Sequence, residues 1–156
     1  MTYAQMIQSL GTRMGGTSTL ARLFPEYAEI DAALSEAQLQ VADEMIIFHG
    51  ATYAPDIDHD ADGRAFLSSP TADIADGADC TLPECYHPSV VIGAERILAQ
   101  KMGDNAPTHK NPSKLWQEFQ EALLRAHKVY ATSLNASSPN RLQDGYAPYR
   151  HLEEDF

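Results

Sequence analysis

The residues of this chain most able to do chemistry by type and spacing lie in DIDHDADG, 56–63. Asp58, Asp60, Asp62 and Gly63 occupy the first, third, fifth and sixth places of a calcium-binding loop, where alternating carboxylates converge on a hard cation and glycine allows the sharp turn. The twelfth place calls for a bidentate glutamate and holds Ser69 instead. A loop without its closing ligand is an acidic tip that holds divalent ions weakly. The metal expectation is therefore none, with Asp58, Asp60 and Asp62 as the weak exception. If calcium did bind there, the chain would be a small calcium-responsive binding module.

Six histidines stand at 49, 59, 87, 109, 127 and 151. None pairs with another on one helical face, and no HExxH is present. His127 sits beside an apolar stripe, which makes it a boundary residue rather than a base. Cys80 and Cys85, in DCTLPEC, read as thiols in a reducing compartment. Only His87 lies near enough to join them, so a zinc set is incomplete. There is no GxSxG, no phosphate-binding loop and no dinucleotide glycine pattern. Glu153 and Glu154 are paired carboxylates in a tail where nothing would shift their pKa. The sequence nominates no nucleophile or base, and no enzyme activity or cofactor is expected.

The elements around these residues are helical by period. Thr2 and Gln5 form a capping box ahead of Tyr3, Met6, Ile7, Leu10 and Met14. Gly15 and Gly16 stop that helix, and TSTLARLF reads as a polar link. From Pro25 to Phe48 the positions Ile30, Ala33, Leu34, Ala37, Val41, Met45 and Phe48 make one stripe. Residues 49–86 lose the period, and TY, AFL and CTL within them read as short strands. His87-Pro88-Ser89 starts a third helix with Val91, Ala94, Leu98 and Met102 on one face. Asn111 caps a fourth, whose stripe runs through Leu115, Phe119, Ala122, Leu123, Ala126, Val129 and Tyr130. The expected fold is mainly α: a four-helix bundle-like domain over 1–136, with a two-stranded β insertion at 49–86 and an extended arm at 137–156.

That arm, SSPNRLQDGYAPYRHLEEDF, has no regular period. Leu142, Tyr146, Tyr149, Leu152 and Phe156 are large and apolar, with Arg141, Arg150 and His151 among them. Aromatics and arginine are the types enriched at interface anchors. Twenty extended residues reach roughly 65 Å, against a radius of gyration of about 15 Å for a domain of this length. The arm can leave its own domain, and it is expected to be loose in a free subunit and ordered on assembly.

The formal charge of −11 repels phosphate, so broad nucleic-acid binding is not expected. No apolar run approaches the ~20 residues that span a bilayer, and the amino-terminal residues lack the features of a signal peptide. A cytosolic site of synthesis is expected.

The order of these segments resembles the head-to-tail connector, or adaptor, proteins of tailed bacteriophages. The likeness lies in LSEAQLQVADE, in the LP-then-HP approach to AERILAQKMGD, in the long helix LWQEFQEALLRAHKVY, and in the tail after it. It covers nearly the whole chain, and its motifs are diffuse. The resemblance implies a structural virion protein assembled in the host cytoplasm. About twelve copies would form a ring beneath the portal protein, extend the DNA channel, and offer a platform to other neck or tail proteins. It also implies that the arm, with Arg141, Leu142, Tyr146, Tyr149, Arg150, Leu152 and Phe156, docks on the portal or on neighbouring subunits. An acidic channel wall would let DNA slide past without binding.

Overall fold

The computed structural model describes residues 1–25, 27–50, 80, 82–103 and 111–137. These are mainly helical: α1 (Tyr3–Arg13), α2 (Thr17–Leu23), α3 (Tyr27–His49), α4 (His87–Met102) and α5 (Pro112–Ser137), with a 3-10 turn at Glu84–Tyr86 leading into α4.

The capping box at the start of α1 forms as its sequence dictates. The Thr2 hydroxyl accepts from the Gln5 N–H at 3.3 Å, and the Gln5 side chain accepts from the Thr2 N–H at 2.9 Å. Met6, Leu10 and Met14 face the core. Gly15 and Gly16 then take φ of 99° and 115°, which side chains with a Cβ avoid.

The chain does not continue as a polar link. TSTLARL is a helix, α2, because Leu20 and Phe24 are buried and pin it to the core. Gly11 allows this. A Cβ there would lie 2.7 Å from Thr17 Cγ2 and 2.9 Å from Thr17 Cα, so the start of α2 rests on α1 at backbone distance. The described residues therefore form five α-helices where four were expected.

In α3 the predicted stripe is buried from Ile30 to Met45. A second face is buried too, carrying Asp31, Ser35 and Gln38. The Tyr3 hydroxyl donates to Asp31 Oδ1 at 2.6 Å, and the Cys80 thiol donates to Gln38 Oε1 at 3.3 Å. These polar positions are covered because α1 and the Cys80 segment lie against that side.

The central element is α4. His87, Ser89 through Glu95, Ile97 and Leu98 are all buried, so it is enclosed on nearly every side rather than along one face. It runs antiparallel to both α3 and α5. Tyr86, just before it, meets His49 and His127, while Arg96, nearly three turns further on, meets Gln40 and Trp116. Where the three helices touch, α4 has Gly93.

Asn111 caps α5 as expected, its Oδ1 accepting from the Lys114 N–H at 2.8 Å. Leu115, Phe119, Ala122, Leu123 and Ala126 are buried. Val129 breaks the predicted stripe and is exposed.

There is no β-strand among the described residues. The nearest feature is a single bridge in which the Cys80 N–H donates to the Met1 carbonyl at 3.3 Å. TY and AFL, the first two segments of the expected insertion, lie outside the described residues, as does Thr81 of the third.

Candidate functional site

The arm residues Arg141, Leu142, Tyr146, Tyr149, Arg150, Leu152 and Phe156, and the acidic set Asp58, Asp60 and Asp62, all lie outside the described residues. The structure instead brings together three groups that the sequence did not link.

The first gathers on the Tyr86 hydroxyl. It lies 2.6 Å from His127 Nδ1 and 3.0 Å from His49 Nε2. Tyr86 has no exposed surface, and His49 and His127 are 2% and 5% exposed. Phe48 stacks flat on His127, with centroids 4.3 Å apart and planes within 3°. Tyr130 meets His49 edge to face at 5.1 Å. Each member is brought by a different piece of chain: the end of α3, the 3-10 turn, and the middle of α5.

Burial dominates the electrostatics. It lowers the His127 pKa to about 4, with the nearby His49 adding to the shift, and lowers that of His49 as well. Burial raises the phenol pKa of Tyr86 well above its ordinary value, and also raises Tyr130 and the Cys85 thiol. Near neutral pH the rings are uncharged and the phenol holds its proton. The atoms that share this proton are covered by side chains, so a substrate in solvent does not reach them.

The second group is an ion pair with a branch. Arg13 Nε donates to Glu95 Oε2 at 2.5 Å, and Arg13 Nη2 donates to Glu118 at 2.7 Å. This ties α1 to α4 and α5. The third is half open: the Arg96 guanidinium lies 4.7 Å from the Trp116 ring centre and donates to Gln40 Oε1 at 3.1 Å.

Among the described residues no set of three or more histidine, cysteine, aspartate or glutamate side chains is placed to hold a metal ion. Neither Cys80 nor Cys85 forms a disulfide. His87, the residue nearest to completing a zinc set, is occupied by the Met1 nitrogen on one side and the Leu82 carbonyl, at 2.7 Å, on the other. No helix among the described residues is long and apolar enough to cross a membrane.

The described surface carries several large apolar side chains. Ile47 at the end of α3 is 76% exposed; on α5, Val129 is 58%, Leu124 49% and Trp116 47% exposed. The two histidines of the buried group had a signal in the sequence. His49 falls four residues after Met45, and His127 four after Leu123, both at core spacing. Comparison with known protein families, with curated proteins and with solved structures finds no match.

Proposed function

We propose that this chain is a structural subunit of a phage neck: an adaptor that closes into a ring, about twelve copies around, between the portal protein and the tail. The observation that carries the reading is the exposure of large apolar side chains on two different helices. Ile47 stands on α3, and Val129 and Leu124 stand on α5. Head-to-tail rings join one patch of a subunit to a different patch of the next. Exposed apolar side chains on α3 and on α5 of a small acidic domain are candidates for such patches, and burying them in neighbours removes them from water.

The order of helices and the tail after α5 support the same reading through their likeness to connector proteins. The function is then contact rather than bond-making, and the net charge of −11 keeps the channel wall from holding DNA. The virion neck is its place, and portal and tail proteins are its partners.

Mixing the purified chain with portal rings and imaging the product by electron microscopy tests the proposal. A collar of density beneath the portal is expected. A chain that stays monomeric with the portal at micromolar concentration, and is absent from the necks of particles, overturns it.

A further inference from the structure

The Tyr86 group has a proton count that works only when the ring accepting the hydroxyl hydrogen is neutral. The hydroxyl carries one hydrogen and faces two ring nitrogens. It donates to one ring and accepts the N–H of the other. Every polar atom at that junction then has a partner. Protonating the accepting ring turns its nitrogen into a donor, and the hydroxyl hydrogen loses its acceptor inside a covered site. A second protonation places two cations with ring centres 5.4 Å apart.

Among the described residues no salt bridge offsets such a charge. The groups around the two rings are Phe48 from α3, Tyr86 and the neighbouring Cys85 from the 3-10 turn, and Tyr130 from α5. Glu84 acts on the Cys85 thiol, but no described carboxylate bonds to either imidazole. The histidines also sit at a junction of the chain. His49 is the last residue of α3, and Tyr86 immediately precedes α4, 37 positions later. Their hydrogen bond holds the two ends of the intervening segment together, and His127 fastens both ends to α5.

We propose that Tyr86, His49 and His127 form an acid-sensitive clasp: protonation of the imidazoles breaks the shared-hydroxyl junction and releases the end of α3 and the start of α4 from α5. The rest of the domain lacks this junction. The Gly93 contact and the Arg13–Glu95 pair lie two turns or more away along α4 and share no residue with it. The clasp stands independently of the ring proposal, since it concerns one subunit.

The sign follows from linkage. Burial lowers both histidine pKa values in the folded state, so the unfolded or opened state binds protons first as pH falls. Stability of the junction is full above about 6.5, the ordinary histidine value, and declines down to about 4.

Hydrogen exchange of the full chain, followed by mass spectrometry and corrected for intrinsic rate, tests this at pH 7.0, 5.5 and 4.5. Protection over 45–49, 84–90 and 123–131 is expected to fall by about tenfold or more relative to 33–37 and 93–98. In a His49→Phe/His127→Phe variant that difference between segments is expected to vanish. A uniform loss across all segments, or the same local loss in the variant, overturns the clasp. If the variant does not fold, a nuclear magnetic resonance titration of the wild-type imidazoles decides. Midpoints near 6.5 for both rings refute it, and depressed midpoints with local opening support it.

Discussion

Arg13 Nε lies 2.5 Å from Oε2 of Glu95, a carboxylate with no exposed surface, and so joins α1 to the central helix. The other oxygen, Oε1, is buried without a partner. Arg13 is therefore the charge that makes burial of Glu95 tolerable. Arg13→Met should lower the unfolding free energy by about 3–5 kcal/mol, because it strands a buried charge. Arg13→Met with Glu95→Leu should recover most of that loss. Glu118 is partly exposed, so Glu118→Gln should cost less than about 1 kcal/mol. Urea unfolding of the four proteins measures all three.

At Gly93 two opposing effects can be weighed. A Cβ there would stand 3.1 Å from Phe119 Cε2 and 3.2 Å from Ala37 Cβ. Alanine in a helix gains about 1 kcal/mol over glycine, while overpacking costs about 1–3 kcal/mol. Phe119 is buried and Ala37 is fixed to α3, so neither yields freely. Gly93→Ala should destabilise by about 1 kcal/mol net. Gly93→Val should cost far more, and Gly93→Ala in an Ala37→Gly background should cost less than in the wild type. Thermal unfolding distinguishes these outcomes.

Tyr86→Phe removes the hydroxyl that donates to one imidazole and accepts from the other, and leaves two buried nitrogens to rearrange. It should cost about 1–3 kcal/mol at pH 7. The wild type should also lose stability in alkali. Burial raises the Tyr86 pKa above the ordinary value of 10, so its contribution is complete below pH 10 and falls as pH rises through the folded value. Tyr86→Phe should show a shallower fall above pH 10, read by thermal unfolding across a pH series.

The tail is expected to be separable from the helical domain. The final helix runs to Ser137 and its buried residues extend to Ala131, so a chain stopped after 137 should keep the far-ultraviolet circular dichroism of α1–α5 and a cooperative transition. Its co-sedimentation with portal rings should drop to background. If the shortened chain docks as the full one does, residues 138–156 are not the docking element.

Where the chain obeyed local rules, the sequence was readable. Thr2 with Gln5, Asn111 at the start of α5, and the stripe from Ile30 to Met45 all appear as their patterns predict. The misreadings share a cause: the relevant force came from elsewhere in the chain. α2 is a helix because Leu20 and Phe24 reach the core, and seven mixed residues show no period long enough to announce that. Val129 was assigned to the core by spacing, yet among the described residues no element covers that side of α5. Nothing local marks Glu95 and Gln38 as buried, because their partners, Arg13 and Cys80, are distant in sequence. His127 was placed at a boundary, and its burial depends on Tyr86, whose own position is set by the 3-10 turn.

The hydrogen bond between His49 and Tyr86 fixes a span as well as a contact. Chain leaving α3 must return to the same point whatever its length. Closing a longer excursion costs little, about 0.6 kcal/mol for each doubling. Descendants of this fold can therefore lengthen or shorten the stretch between Gly50 and Cys80 without renegotiating the helices, provided Cys80, Leu82 and the 3-10 turn keep their places. Diversity among related subunits should accumulate there first, and a laboratory reporter inserted there would be carried at the least disturbance to the rest.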